Sequence, residues 1–293
     1  MALDRDQLQK DIHAQYAREH AELGESGTIE HHERGKQWQL ADTLNAGGVL
    51  VFPHAGVLDC GYQIAACVHA CLDSGADKVI VISVLHAFTD EMEQARQRVA
   101  AGSDVTQERF WCIQGTGLDT GDEWTRDHAL ISWRHFWNAE VKRRGLSENQ
   151  IPAVYERYPY LAGGKPDILP GIEDLQELTK DAVIVSTADA FHHGIGYGTP
   201  PEEAFHPDAA GLAKAQTKIE EGMAILSSGD YWGYNQHCVE AKSDARDAGQ
   251  VFRYLRGEMT GKVLDITYTD ATELYNQPPP TWVAAALMEW TPV

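Results

Sequence analysis

The chain has 293 residues, of which 43% are hydrophobic and 23% are charged, a composition typical of a globular protein of one or two domains. The 44 acidic residues outnumber the 24 basic ones and give a net charge of −20, which argues against a nucleic-acid partner. The sequence contains no run of 18 apolar residues and no basic start followed by an apolar core. We therefore expect no membrane span and no signal peptide, and we predict a cytoplasmic protein.

Residues 1–45 are predicted to form an N-terminal helical extension. The pattern favours a helix over residues 4–23, a polar connection over residues 26–36, and a second short helix after it. The pair His31-His32 falls in this connection, where we expect adjacent, exposed histidines with no specific role.

Residues 46–293 are predicted to form one α/β domain with a mixed, mostly parallel central sheet flanked by helices. Short apolar runs rich in Val and Ile are typical of buried parallel strands, and helical patterns separate them. The predicted strands are 49–53, 78–85, 109–113, 182–187, 262–268 and 281–288. The predicted helices are about 60–74, 127–144, 171–180, 208–227 and 244–256. Residues 152–170 are predicted to be a long loop and residues 229–237 an irregular aromatic stretch.

Three of the predicted strands end in side chains that bind metals or transfer protons. His54 follows the first strand, His86 follows the second, and Asp189 and His192 follow the strand at 182–187. Ligands of open α/β sheets bind beyond the carboxyl ends of the strands, so we expect these residues to share a site. Two imidazoles with one anionic ligand suit a non-haem Fe(II) centre with open positions, and they also suit zinc with a bound water.

Four motifs of the chain occur in the order and spacing of the Memo-like proteins. They are Val51-Phe52-Pro53-His54-Ala55-Gly56, Val81-Ile82-Ser83-Val84-Leu85-His86, Asp127-His128-Ala129-Leu130 and Ser186-Thr187-Ala188-Asp189-Ala190-Phe191-His192-His193-Gly194. Memo-like proteins share their fold with the class III extradiol ring-cleavage dioxygenases. The resemblance runs from about residue 45 to the C-terminus and implies a class III extradiol dioxygenase-like fold.

The resemblance also implies roles for individual residues. His54 and His86 match the two metal-binding histidines of the family, and His192 matches its acid–base histidine. His128 matches another histidine of the pocket, and Asp189 matches the acidic residue beside it. We therefore expect His54 and His86 to bind a metal, and His192, His128 and Asp189 to act in catalysis.

The third metal ligand is open at this point. The dioxygenases have a glutamate and Memo-type proteins a cysteine followed by glycine, whereas this chain reads Gln236-His237-Cys238-Val239-Glu240. The glycine after Cys238 is absent, and a carboxylate is the more usual partner of Fe(II) beside two histidines. We therefore favour Glu240, with Cys238 and Asp244 as the alternatives.

The activity that the resemblance implies is an Fe(II)-dependent dioxygenase that uses O₂ to cleave the ring of a catechol or an aminophenol. Two alternatives are a non-enzymatic Memo-like protein that binds copper or iron through Cys238, and a zinc hydrolase with His192 as general base. A scaffold with a vestigial pocket is a third. A homo-oligomer is compatible with the resemblance, because many relatives associate. Several aromatic side chains are expected to line a pocket for an aromatic ring: Trp124, Trp133, Tyr155, Tyr158 and Tyr160.

Overall fold

The computed structural model describes residues 5–293 and forms a single α/β fold. Its helices are Arg5–Lys36 (α1), Ala41–Asn45 (α2), Val57–Asp73 (α3), Asp90–Ala100 (α4), Ile131–Arg144 (α5), Ile172–Leu178 (α6), Ala209–Ser227 (α7), Tyr231–Glu240 (α8), Arg246–Arg256 (α9) and Thr272–Tyr275 (α10). Its strands are Val49–Phe52 (β1), Lys78–Ile82 (β2), Cys112–Gly115 (β3), Ala153–Tyr160 (β4), Val183–Thr187 (β5), Phe191–Gly194 (β6), Met259–Asp270 (β7) and Thr281–Pro292 (β8). None of the helices within the described range is long and apolar enough to cross a membrane.

The eight strands form one mixed sheet in the order β3-β4-β2-β5-β1-β8-β6, and β7 pairs with β8 outside this path. The four central strands, β4, β2, β5 and β1, run parallel to one another. The remaining strands pair antiparallel with their neighbours. The prediction of a mixed sheet with a parallel centre is thus confirmed, and β5 lies between β1 and β2.

Both faces of the sheet are covered because the central strands are apolar on both sides. Successive side chains of a strand point to opposite faces, and in β1 this separates Val49 and Val51 from Leu50 and Phe52. The first pair packs in a core with α6, α7, α8 and α9. The second pair packs in a core with α3, α4 and α5, to which α1 contributes Leu23.

Several predicted elements are wrong. The polar connection over residues 26–36 belongs to α1, which kinks at Gly24 and continues to Lys36 because its second half packs against α3. The predicted loop over residues 152–170 begins with β4, whose Glu156 receives two hydrogen bonds from Arg134 of α5. The stretch over residues 229–237 is helical, since α8 is capped by the Asp230 carboxylate.

Candidate metal centre

A cavity of about 670 Å³ opens where β1, β2 and β5 end. Its floor carries side chains from the segments that follow those strands, and α10 and the end of β7 form one wall. The first half of α1 also lines the cavity, through a row of mainly polar side chains. These are Leu8, Gln9, Lys10, Ile12, His13, Gln15, Tyr16 and Glu19.

The structure brings the predicted histidines of the strand ends together on the floor of this cavity. The rings of His54 and His86 lie 5.0 Å apart between centroids, and His128 stacks on His86 at 4.4 Å. His192 and Asp189 also line the cavity. The ligand atoms of His54, His86 and His128 lie within 4.8 Å of one another, and so do those of His54, Asp189 and Asp244.

Asp244 supplies the carboxylate that faces both strand-end imidazoles. Its Oδ2 lies 3.0 Å from Nε2 of His54 and 3.3 Å from Nε2 of His86. Its other oxygen, Oδ1, accepts a hydrogen bond of 2.8 Å from the backbone N–H of Asp189. The carboxylate is therefore held in place by the segment after β5 while one oxygen is directed at the two imidazoles.

The structure does not bring the favoured third ligand, Glu240, to this centre, and it does not bring the alternative Cys238 there either. Glu240 ends α8 with its side chain 74% exposed and its carboxylate near Lys218. Cys238 lies two residues earlier, about 200° around the helix, and is buried against Tyr234 in the core. Neither belongs to a group of metal-binding side chains among the residues described. The remaining alternative, Asp244, lies in the required position because the chain turns after α8.

Thr187, the last residue of β5, fixes which nitrogen of His54 faces the centre. Its hydroxyl donates to the backbone carbonyl of Phe52 at 2.9 Å. Because the hydroxyl has no second proton to donate, its oxygen accepts a hydrogen bond of 3.0 Å from Nδ1–H of His54. Nε2 of His54 is thereby directed at Asp244, which is the arrangement seen around metal-binding histidines.

Asp127 holds the backbone of the segment that carries His86 and lies beside its ring. Its buried carboxylate accepts hydrogen bonds from the backbone N–H groups of His86 and Ala87, and it lies 3.6 Å from Nδ1 of His86. Burial lowers the pKa of His86, but Asp127 and Asp244 outweigh it and raise that pKa to about 10. Sequence reasoning quoted Asp127 only as part of a motif and missed this role.

The site brings carboxylates and imidazoles close together where they are buried, and each affects the pKa of the other. Burial works against ionisation of Asp244, but His54 and His86 hold its pKa well below the usual range. Burial lowers the pKa of His54, yet Asp189 and Asp244 more than compensate and the pKa is raised. Burial is also the main cause of the raised pKa of Asp189.

Acidic neighbours raise the pKa of His192 and His128 less than burial lowers it. Burial lowers the pKa of His192, and its Nδ1 has no hydrogen-bond partner. Burial, with a further contribution from His86, holds the pKa of His128 well below its usual value. Both rings are therefore neutral near pH 7 and able to exchange protons with a ligand in the cavity.

The contribution of α1 to this site was missed by sequence reasoning. The Tyr16 hydroxyl donates to the backbone carbonyl of His54, and the Gln9 side chain donates to that of His86 at 3.3 Å. The Glu19 carboxylate accepts from the backbone N–H of Val57 at 2.7 Å. No local pattern indicated these contacts, because each joins residues that are far apart in the sequence.

The expected aromatic lining is also different. Of the side chains predicted to line the pocket, none borders the cavity. Tyr158, Tyr160 and Trp133 are core residues, since they pack in the core that α3, α4 and α5 form on one face of the sheet. The cavity is lined instead by other aromatic residues: Tyr16, Phe88, Tyr197 and Tyr275.

The buried histidine and carboxylate groups at the cavity floor are spaced to hold a metal ion. A comparison of the chain with protein-family models finds no match. A comparison with curated proteins finds none either.

Proposed function

We propose that this chain is a non-haem Fe(II)-dependent dioxygenase of the extradiol type, with a class III extradiol dioxygenase-like fold, acting on a catechol or aminophenol-like ring. The observation that carries the proposal is the approach of Asp244 Oδ2 to Nε2 of both His54 and His86, at 3.0 and 3.3 Å. Two imidazoles and one carboxylate are the ligand set of non-haem Fe(II) oxygenases, and both imidazoles line the cavity.

The donor set fits a divalent metal ion in its chemistry as well as in its spacing. Thr187 orients the His54 imidazole from behind, as outer partners of metal ligands do, and the Asp127 carboxylate lies 3.6 Å from Nδ1 of His86. His54, His86 and Asp244 would hold the ion. When bound, Fe(II) would offer open coordination positions for the substrate and O₂ and would carry electron density from the ring to the oxygen.

The protein side chains bind and enclose the substrate. The cavity volume of about 670 Å³ is typical of small-molecule sites. Tyr16 and Phe88 on one side and Tyr197 and Tyr275 on another provide flat apolar surface for a ring. The first half of α1 covers the floor and limits the access of water.

Two neutral histidines are in position to move protons. His128, stacked on His86, would accept the proton of a substrate hydroxyl as the substrate enters. His192, whose Nδ1 makes no hydrogen bond to the described residues, would give a proton to an O₂-derived oxygen as the O–O bond breaks, and would recover it later, with both oxygen atoms retained in the product. Asp189 accepts a hydrogen bond of 3.0 Å from the His54 backbone and so holds the two strand ends together.

The test is anaerobic loading of metal-free protein with Fe(II), followed by measurement of O₂ uptake and of a yellow ring-opened product with a panel of catechols and aminophenols. We expect one equivalent of iron and stoichiometric O₂ uptake with at least one substrate. Asp244→Ala is expected to lose the iron and the activity together. Glu240→Ala is the matched control, since this carboxylate faces solvent and its loss should leave both unchanged.

Other outcomes identify the alternatives. Zinc in the protein as isolated, with ester or amide hydrolysis and no O₂ uptake, would replace the dioxygenase by a hydrolase that uses His192 as base. Iron or copper binding that survives Asp244→Ala but not Cys238→Ala would replace it by the Memo-like binding protein. Full iron loading without turnover of any member of the panel would count against ring cleavage.

A further inference from the structure

A second group of metal-binding side chains lies outside the cavity, where α1, α3 and α5 meet. It consists of His32, His69 and Glu140, all of them buried, with ligand atoms within 4.8 Å of one another. The group is well separated from the cavity, because His69 lies 12 residues beyond the start of α3, which corresponds to about 18 Å along the helix. The prediction that the His31-His32 pair is exposed is wrong for His32, whose side chain is only 1% exposed.

The group presents three donors, one from each residue, at compatible spacing. Oε1 of Glu140 lies 3.5 Å from Nδ1 of His69, and Oε2 lies 3.7 Å from Nδ1 of His32. Separations of about this size between donors are what bonds of about 2.0–2.2 Å from a common tetrahedral ion produce. Two imidazoles and the Glu140 carboxylate would thus supply three protein ligands to the ion.

His69 is already oriented as a metal ligand. Its Nε2–H donates to the backbone carbonyl of His32 at 3.1 Å, so Nδ1 carries the lone pair and faces the group. Metal-binding histidines typically donate their other ring N–H to such an acceptor.

His32 provides the second, independent indication of a ligand. Among the residues that the structure describes, none makes a hydrogen bond of normal geometry to either ring nitrogen, and the ring contacts only those of His69 and Phe136 and, at 3.7 Å, the Glu140 carboxylate. A buried imidazole without partners is costly, because the polar atoms lose water and gain nothing in return. An ion in contact with Nδ1 of His32 removes this cost.

Arg144 occupies the position that the ion would take. Its Nη2 lies 2.8 Å from Nδ1 of His69 and its Nε donates to Oε1 of Glu140 at 2.7 Å. The same guanidinium also contacts Asp73 through Nη1, on the solvent side. The guanidinium can therefore turn outward to Asp73 and leave His69 and Glu140 to another cation, while Arg143 keeps its own bonds to Glu140.

We propose that His32, His69 and Glu140 form a second, structural site for a zinc-like divalent ion, which exchanges with the Arg144 guanidinium and fastens α1 to α3 and α5. Nitrogen donors with a carboxylate are the ligands that zinc accepts in such sites. None of the three residues belongs to the motifs that resemble the dioxygenases, and the site does not depend on the proposed activity. It secures the helix whose first half covers the cavity.

The experiment is a zinc titration of chelator-stripped protein against a chromophoric competitor, with the bound metal counted by elemental analysis. We expect two zinc equivalents in the native chain, one in Asp244→Asn, one in His32→Asn and none in the double variant. Arg144→Met in the Asp244→Asn background should tighten the remaining equivalent about tenfold or more, because a competing charge-assisted hydrogen bond of about 1.5–3 kcal/mol is removed.

The variants separate this site from the cavity site. Retention of both equivalents in His32→Asn, or unchanged or weaker zinc binding in Arg144→Met, would overturn the second site. A single equivalent that survives Asp244→Asn but not His32→Asn would support it and would count against the proposed iron centre. If His32→Asn does not fold, as judged by circular dichroism, the Arg144→Met arm decides, because this substitution removes no ligand.

Discussion

At the scale of single residues, Thr187 shows how a neutral hydroxyl can control the orientation of a histidine. It hydrogen bonds to Nδ1 of His54 and fixes the tautomer that offers Nε2 to the centre. We expect Thr187→Val to weaken Fe(II) or zinc binding at the cavity floor about 10–100-fold, the usual cost of removing an outer partner of a ligand. The measurement is a metal titration by competition.

The neighbouring Ser186 provides the control for that substitution. It is equally buried, but its hydroxyl donates to the backbone carbonyl of Ile82 and does not contact His54. Ser186→Ala should therefore leave the metal affinity unchanged. An equal loss in both variants would indicate a general effect on β5 and refute the role assigned to Thr187.

His193 is expected to make the fold sensitive to mild acid. Burial, with Lys242 and Lys214 nearby, lowers its pKa to about 4, and its Nε2 accepts a hydrogen bond from the backbone N–H of Phe205. Because the unfolded chain binds this proton near pH 6.5, stability present at neutral pH is lost as the pH falls from about 6.5 to about 4. The loss from this group is roughly 1–3 kcal/mol.

Urea unfolding between pH 7 and pH 4 measures this effect. His193→Gln keeps an acceptor but does not titrate, so its stability should fall less over the same range. His206→Gln removes an exposed histidine close by and should leave the native pH profile unchanged. A profile for His193→Gln that matches the native one would refute the assignment.

The proposed third ligand illustrates what the sequence could not reveal about single residues. Glu240 and Asp244 are four residues apart and both are carboxylates, so the motif alone could not separate them. The choice depends on where α8 ends and on the turn that follows, in which Lys242 has a φ of 54°. This residue in the left-handed region redirects the chain toward the sheet, and no pattern of side chains in the sequence predicts such a turn.

At the scale of elements, the central strands were predictable because burial on both faces requires a continuous apolar run. Strands β1, β2 and β5 show such runs and lie close to where they were expected. Strand β4 carries Glu156 and Arg157. The Glu156 carboxylate is tolerated because it accepts a hydrogen bond from Arg134 of α5, 22 residues away. A partner that is distant in sequence cannot be seen in a local pattern.

The kink of α1 leads to a prediction for that helix. Gly24 has φ 59° and ψ −170°, a conformation that is essentially restricted to glycine, and no atom lies within 4 Å of an added Cβ. Gly24→Asn should therefore lower the free energy of unfolding by about 1–3 kcal/mol through backbone strain alone. The measurement is hydrogen exchange at residues 8–19, the segment of α1 that covers the cavity. We expect exchange there to become faster.

Gly145, at the end of α5, is the matched control. It also has positive φ, 62°, and open space around its Cα, but its ψ of 33° is the left-handed conformation that asparagine tolerates. Gly145→Asn should cost less than about 1 kcal/mol. Equal losses in the two variants would show that the kink at Gly24 stores no particular strain.

At the scale of the whole molecule, the charge of −20 is the dominant property that no single contact explains. Acidic groups repel one another across the folded surface, and salt weakens this repulsion because the screening length falls from about 30 Å at 0.01 M to about 8 Å at 0.15 M. We expect the Tm of the metal-free protein at pH 7.5 to rise by several degrees when NaCl is raised from 10 to 150 mM.

The same salt step at pH 5, close to the pI of about 4.9, should change the Tm little, because the net charge is then near zero. A rise of equal size at both pH values would mean that salt acts on something other than the net charge, and a fall at pH 7.5 would mean that attractive ion pairs outweigh the repulsion.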